Sequence, residues 1–155
     1  MTSFNDSPGV IAPPPLIYLS GLAVGIILQW FKPVAFLSEK FAVPLGVALI
    51  IISVALVVTA MHAFVKAKTN IDVRKPTTSI VASGPYRFSR NPIYLSMTLL
   101  VLGIATWVNT VWILVTLLPI LLIIRLGVIA REEAYLTRKF GEDYLQYKVR
   151  VRRWI

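Results

Sequence analysis

The sequence is poor in the residues that commonly carry redox or metal chemistry. It has no cysteine and a single histidine, His62, among 155 residues. Without cysteine the chain can form neither a disulfide nor a thiolate metal site. One histidine likewise excludes a metal cluster built from histidines. We therefore predict that the chain binds no metal and that its chemistry depends on other side chains.

Charged residues are also scarce. Only 15% of the residues are charged, and 57% are hydrophobic, whereas ordinary soluble domains carry about 25% charged residues. This composition indicates an integral membrane protein. A net charge of +9 would suggest nucleic acid in a soluble protein. Here the cations lie between apolar runs, as in the cytoplasmic loops of membrane proteins, so we expect no nucleic-acid partner.

Two apolar segments in the first half predict membrane spans, residues 16–31 and 43–65, joined by a short polar connection at residues 32–42. No Lys or Arg precedes the first span, which is unlike a signal peptide, so we expect that span to remain as a helix. Gly21 and Gly25 are four residues apart and predict close packing against another helix.

The apolar run of residues 93–130 is too long for one span and predicts a helical hairpin with its turn at residues 107–110. The first arm is short, so it is expected either to tilt or to pack against its partner without fully crossing. The second arm contains Pro119, which predicts a kink, and Arg125. That arginine either extends to the headgroups or has a function, and both interpretations remain open.

Residues 131–148 predict a C-terminal amphipathic helix with a bend or break at Gly141, because glycine is unfavourable inside a helix. Its apolar side is formed by Leu136, Phe140, Tyr144 and Tyr147. Beyond it, Arg152, Arg153 and Trp154 suit anionic headgroups. The loop of residues 66–91 and the C-terminal segment with Arg125 hold 14 of the 16 Lys and Arg residues.

The predicted fold is therefore an all-α integral membrane protein with about four transmembrane helices. Because basic residues mark the cytoplasmic side, both basic segments, the C-terminal helix and both termini are predicted to be cytoplasmic.

The start of the third helix is the first candidate site. Asn91 is a good N-cap and Pro92 suits the first helical position. The helix therefore begins with free backbone N–H groups, and Arg87 and Arg90 lie nearby, which together favour an anion. An equally good interpretation is ordinary capping with charges that only set the topology.

A pair of acidic residues, Glu132 and Glu133, follows the last span and is the second candidate site. The pair either forms salt bridges, with Arg90, Arg131 or Lys139, or binds a cationic group such as an amine or a sulfonium. Aromatic residues join the two candidate sites: Tyr86, Tyr94, Tyr135 and Tyr144. A zwitterionic aromatic ligand would fit, and S-adenosylmethionine has that character, although phospholipid headgroups share part of it.

These residues resemble a known family. Residues 84–95, 132–136 and 140–147 are similar, in order and spacing, to the isoprenylcysteine carboxyl methyltransferases and their phospholipid methyltransferase relatives. In that family an Arg-His-Pro-x-Tyr motif opens a membrane helix and a Glu-Glu-x-x-Leu motif follows the next one. The resemblance implies that residues 77–155 form the cofactor-binding half of one membrane domain, residues 1–155, with residues 1–76 supplying the N-terminal helices and a loop.

Carried over residue by residue, the first motif is matched by Arg90, Pro92 and Tyr94, with Asn91 in place of histidine. The second is matched by Glu132, Glu133 and Leu136. The resemblance implies an S-adenosylmethionine-dependent methyltransferase that acts on a lipid-like or prenylated acceptor. The expected catalytic residues are Arg90, Glu132 and Glu133. The expected cofactor-binding residues are Tyr86, Asn91, Pro92, Tyr94, Glu132, Glu133, Leu136 and Tyr144.

The chemistry of the acceptor is open at this point. A carboxylate acceptor, which we favour, needs no general base, and Arg90 would orient it. An amine acceptor needs a proton acceptor, for which Glu132 or Glu133 is the candidate. Two other functions are possible alternatives: a nicotinamide-dependent membrane reductase, for which the chain is short, and a non-enzymatic protein that binds anionic lipid, which does not explain the Glu132-Glu133 pair.

Overall fold

The structure, a computed structural model, describes residues 7–72 and 75–155. Within these residues the chain is helical and contains no β-strand, which confirms the all-α prediction. The α-helices are α1 (Pro14–Phe31), α2 (Glu39–Lys66), α3 (Pro92–Trp107), α4 (Val111–Ile123), α5 (Ala130–Phe140) and α6 (Glu142–Arg150). A short 3₁₀ helix, Gly84–Arg87, precedes α3, and a π-helical stretch, Ile124–Ile129, joins α4 to α5.

Among the described residues, three helical segments are long and apolar enough to cross a membrane: α1, α2 and the continuous segment Val111–Phe140. Helix α3 is apolar but shorter, with 16 residues. The predicted hairpin is therefore present. Its turn ends at Thr110, whose hydroxyl accepts a hydrogen bond from the Trp112 backbone N–H and caps α4.

The predicted start of the second span was too late. Helix α2 begins at Glu39 rather than at residue 43, because Glu39 suits the positive end of the helix dipole. Pro44 lies on an exposed side of α2 and does not end the helix.

Close contacts between glycines and neighbouring helices hold the bundle together. On α1, a Cβ at Gly25 would lie 2.8 Å from the Cα of Ile113 on α4, and Gly21 faces the side chain of Ile120. Gly46 of α2 and Gly103 of α3 make a similar approach. The prediction that Gly21 and Gly25 serve helix packing is confirmed.

Hydrogen bonds fix which segments share an end of the bundle. At one end the Ile11 backbone N–H donates to the Gly127 carbonyl and the Arg131 guanidinium donates to the Gly9 carbonyl. At the opposite end the Trp112 indole donates to the Lys32 carbonyl. The described part of the N-terminus therefore lies at the same end as the C-terminal helices. Which side of the membrane this end faces stays a prediction.

The π-helical stretch was not foreseen. The helix continues through Pro119, and its hydrogen-bond pattern changes further along, where the Ala130 N–H donates to the Arg125 carbonyl five residues earlier. Such stretches add a residue to a helical turn and often occur beside functional sites. This one ends three residues before Glu132.

Helices α5 and α6 meet at Gly141, whose φ of +54° few other residues adopt. The predicted break at this glycine is therefore confirmed. Tyr144, Tyr147 and Val151 form a buried cluster against Leu136 and Phe140. The apolar side predicted for this segment thus packs onto the protein.

Candidate functional site

A cavity of about 520 Å³ lies at the end of the bundle where α3 begins and α5 and α6 lie. Its size is within the range of small-molecule sites. Apolar side chains supply much of the wall, including Met61, Phe64, Val81 and Met97. The candidate residues from the two motifs that line it are Tyr86, Arg90, Asn91, Tyr94, Glu132, Glu133, Leu136 and Tyr144.

Glu133 is the centre of an ionic cluster. Its Oε1 accepts hydrogen bonds from Arg90 Nη2 at 3.0 Å and from Arg153 Nε at 2.9 Å. Its Oε2 accepts from Arg153 Nη2 at 2.7 Å and lies 3.7 Å from Lys148 Nζ. The hydrogen bond to Glu133 raises the pKa of the Arg153 guanidinium above its ordinary value. Both oxygens of Glu133 are thus occupied by cations of the protein.

Glu132 has a different environment. Its Oε2 accepts a hydrogen bond of 2.8 Å from the Tyr94 hydroxyl, a neutral donor. The Oε1 atom makes no hydrogen bond to any described residue, and Glu132 forms no ion pair among them. The two adjacent glutamates therefore differ: Glu133 is neutralised by the protein, and Glu132 retains a carboxylate oxygen that can meet a ligand.

Arg90 joins α3 to α5 and α6. Its side chain is only 8% exposed; Nη2 binds Glu133, and Nη1 donates to the Lys148 carbonyl at 3.1 Å. The Nε atom is buried with no hydrogen-bond partner in the described part of the chain. A buried donor without a partner is costly. Arg90, Lys148 and Arg153 surround the single carboxylate of Glu133, so this wall of the cavity has a net positive charge that favours an anion.

Hydrogen bonds to the C-terminal residues hold the start of α3 in place. The Arg90 backbone N–H donates to the Arg152 carbonyl, and Asn91 Nδ2 donates to the Arg153 carbonyl at 2.9 Å. Asn91 does occupy the N-cap position of α3, but its side chain makes no capping hydrogen bond. The prediction that its side chain caps the helix was therefore wrong, because the amide is used to hold the C-terminal segment.

Several residues singled out from the sequence lie away from the cavity. Pro92 is buried at the first position of α3 and does not line the cavity. Tyr135 is also absent from the wall. Arg87 and Arg131 are exposed, and the Arg131 guanidinium binds the Gly9 carbonyl. His62 is exposed on α2.

Tyr147, Lys148 and Arg153 contribute to the site and were not among the expected site residues. Burial raises the pKa of Tyr147 to about 12, so its hydroxyl stays protonated and donates to the Tyr86 carbonyl at 2.8 Å. Arg153 was assigned to headgroups because it stands beside Trp154 near the chain end. Arg153 follows Glu133 by 20 residues, and a separation of that length does not predict contact between two side chains.

An apolar cavity with ionic walls at the end of a membrane helix bundle defines a membrane protein with a ligand site. The family model for phospholipid methyltransferases matches residues 41–143, about two thirds of the chain, including both motif segments. The chain belongs to this family of integral membrane methyltransferases. An uncharacterized protein of Haemophilus influenzae is 40% identical over 63 residues, which are 41% of this chain and all of that protein. No solved structure matches.

Proposed function

We propose that the protein is an S-adenosylmethionine-dependent methyltransferase that modifies a lipid-like or prenylated acceptor at the cytoplasmic membrane face. One observation carries the proposal: Glu132, with a free carboxylate oxygen, and Arg90, which belongs to a cluster of three cations around the single carboxylate of Glu133, line the same largely apolar cavity. A ligand with separate cationic and anionic groups satisfies both. Membership of the family supports the choice of methyl transfer.

The residues present fit S-adenosylmethionine. Glu132 would hold its cationic groups, the positive charge of Arg90 would attract its carboxylate, and the aromatic wall at Tyr86 and Tyr144 suits a purine ring. When bound, this cofactor supplies an electrophilic methyl group. Burial raises the pKa of Tyr144 above its ordinary value, so its hydroxyl stays uncharged at neutral pH.

Glu133 is a positioning residue in this proposal. Its oxygens are engaged by Arg90, Arg153 and Lys148, so it cannot readily accept a proton from an amine acceptor. Glu132 is then the proton acceptor if the acceptor is an amine. If the acceptor is a carboxylate, which we favour, the protein needs only to orient and desolvate it.

The acceptor is proposed to enter from the bilayer at Met61. This residue lines the cavity and is also 44% exposed on α2, so one wall of the cavity reaches the surface that faces lipid. A lipid tail can remain in the bilayer while the reactive group enters the cavity.

The test is incubation of the purified protein with methyl-labelled S-adenosylmethionine and total membrane lipid. We expect label in lipid; release of volatile methanol by mild alkali would identify a methyl ester, and alkali-stable label an N-methyl group. Calorimetric titration should show cofactor binding that Glu132→Gln weakens roughly tenfold. The control is Glu142→Gln, an exposed site on α6. Absence of binding at millimolar cofactor would refute the proposal.

A further inference from the structure

We propose that a groove on the lipid-facing side of the α3–α4 hairpin binds one anionic phospholipid of the bilayer. The groove has a volume of about 480 Å³ and shares no lining residue with the candidate methyl-transfer cavity. Its walls include Thr98 of α3, Leu118 and Leu122 of α4, Arg125 of the π-helical stretch and Trp154 of the C-terminal segment. This site is independent of the proposed enzymatic function.

Arg125 is the charged residue of the groove. Its side chain is exposed and makes no hydrogen bond or ion pair with any other described residue. The lining residues include no Asp or Glu. A cation on an otherwise apolar membrane helix is costly unless it is paired. Because the described chain supplies no partner, the complementary anion comes from outside, and a guanidinium binds a phosphate with two parallel hydrogen bonds.

The shape of the groove favours a phospholipid over a free anion. Leu118, Leu122 and Arg125 are spaced by four and three residues and so share one face of the helix. Leu118 is 69% exposed and Leu122 is 56% exposed, which leaves an apolar strip leading away from the guanidinium along α4. A headgroup at Arg125 therefore places an acyl chain on the two leucines.

Trp154 supports the same placement of the headgroup. It packs against the buried cluster formed by α1, α3 and α4, and it lines the groove with Arg125. An indole and an arginine together are typical of the membrane–water interface. Both lie towards the end of the bundle that carries the C-terminal basic segment, where anionic headgroups are attracted.

The experiment uses the full-length protein in micelles that contain equal amounts of phosphatidylglycerol and phosphatidylcholine. Native mass spectrometry counts the lipid retained by each variant. We expect the native protein to retain one phosphatidylglycerol preferentially, and Arg125→Gln to reduce that preference about fivefold. The matched control is Arg138→Gln, which removes an exposed arginine that lines neither cavity; it should keep the native preference.

A second variant tests the acyl-chain strip without changing charge. Leu118→Trp fills the groove and should reduce retention of phosphatidylglycerol, while millimolar inorganic phosphate should not displace the lipid. The proposal is wrong if Arg125→Gln keeps the native preference, if Arg138→Gln loses as much, if Leu118→Trp has no effect, or if phosphate competes. Binding of S-adenosylmethionine by Arg125→Gln should be unchanged, which separates this test from that of the methyltransferase proposal.

Discussion

The Tyr94 hydroxyl donates a hydrogen bond of 2.8 Å to Glu132 Oε2, and so links the first turn of α3 to the first turn of α5. The two residues are separated by 38 positions in the chain. The bond orients one oxygen of Glu132 and leaves the other available in the cavity.

Tyr94→Phe removes this hydrogen bond and keeps the ring. We expect the affinity for S-adenosylmethionine to fall roughly tenfold, because a hydrogen bond to a charged group is typically worth about 1.5–3 kcal/mol. Calorimetric titration of the purified variant measures the change. Glu142→Gln is the control, since Glu142 is exposed and does not line the cavity. Equal affinity in both variants would show that Tyr94 does not orient Glu132 for binding.

Glu133→Gln is expected to lower the stability of the fold strongly, in addition to any effect on activity. Arg90 and Glu133 are both 8% exposed, and removing one partner of a buried ion pair typically costs about 3–5 kcal/mol. Thermal unfolding in detergent should show a large decrease in Tm, whereas Glu142→Gln, at an exposed position of α6, should change the Tm little. A stable Glu133→Gln protein would mean that the cations at this site are solvated.

Arg90 and Arg87 should respond differently to replacement by lysine. Arg90 is buried and reaches Glu133 and the Lys148 carbonyl with different nitrogens, a geometry that one ammonium group cannot reproduce. Arg87 is exposed, so Arg87→Lys should be mild. The measurement is methyl transfer at matched expression and saturating cofactor. Similar activities of the two variants would indicate that both arginines only set the membrane orientation.

Gly25→Ala should destabilise the bundle more than Gly21→Ala. A Cβ at Gly25 would meet the backbone of Ile113 at 2.8 Å, so α1 and α4 would have to separate. At Gly21 the nearest atom is the terminal methyl group of Ile120, which can rotate away. Thermal unfolding of the two variants compares them directly, and the reverse order would indicate that α4 shifts easily.

Cysteine labelling tests the membrane orientation. Thr78 and Gln146 are exposed at the end predicted to be cytoplasmic, and Ser38 is exposed at the other end. An impermeant thiol reagent added to intact cells should label Ser38→Cys and spare Thr78→Cys and Gln146→Cys. Labelling of Thr78→Cys from outside would show that the protein has the opposite orientation in the membrane. Ser3, a further position for this test, lies outside the described residues.

Apolar segments and their interruptions were sufficient to predict the α-helices, but neither the start of α2 nor the π-helical stretch. The hairpin turn at residues 107–110 and the break at Gly141 depend on local chemistry, and both were predicted correctly. The different roles of Glu132 and Glu133 were not predictable, because they depend on which neighbours approach each carboxylate. Arg153 reaches Glu133 only after α6 folds back over the site, and a contact of that kind leaves no periodic pattern in the sequence.

The π-helical stretch accommodates one extra residue between α4 and α5 without turning the glutamates to another face. Each residue turns an α-helix by about 100°, so four residues of α-helix cover about the same rotation as the five residues of one π-helical turn. Deleting one residue within Ile124–Ile129 would therefore let α4 and α5 form one regular helix and leave both glutamates facing the cavity. No residue of this stretch lines the cavity that contains Glu132, so such a deletion should remove the irregular turn while keeping Glu132 beside Tyr94.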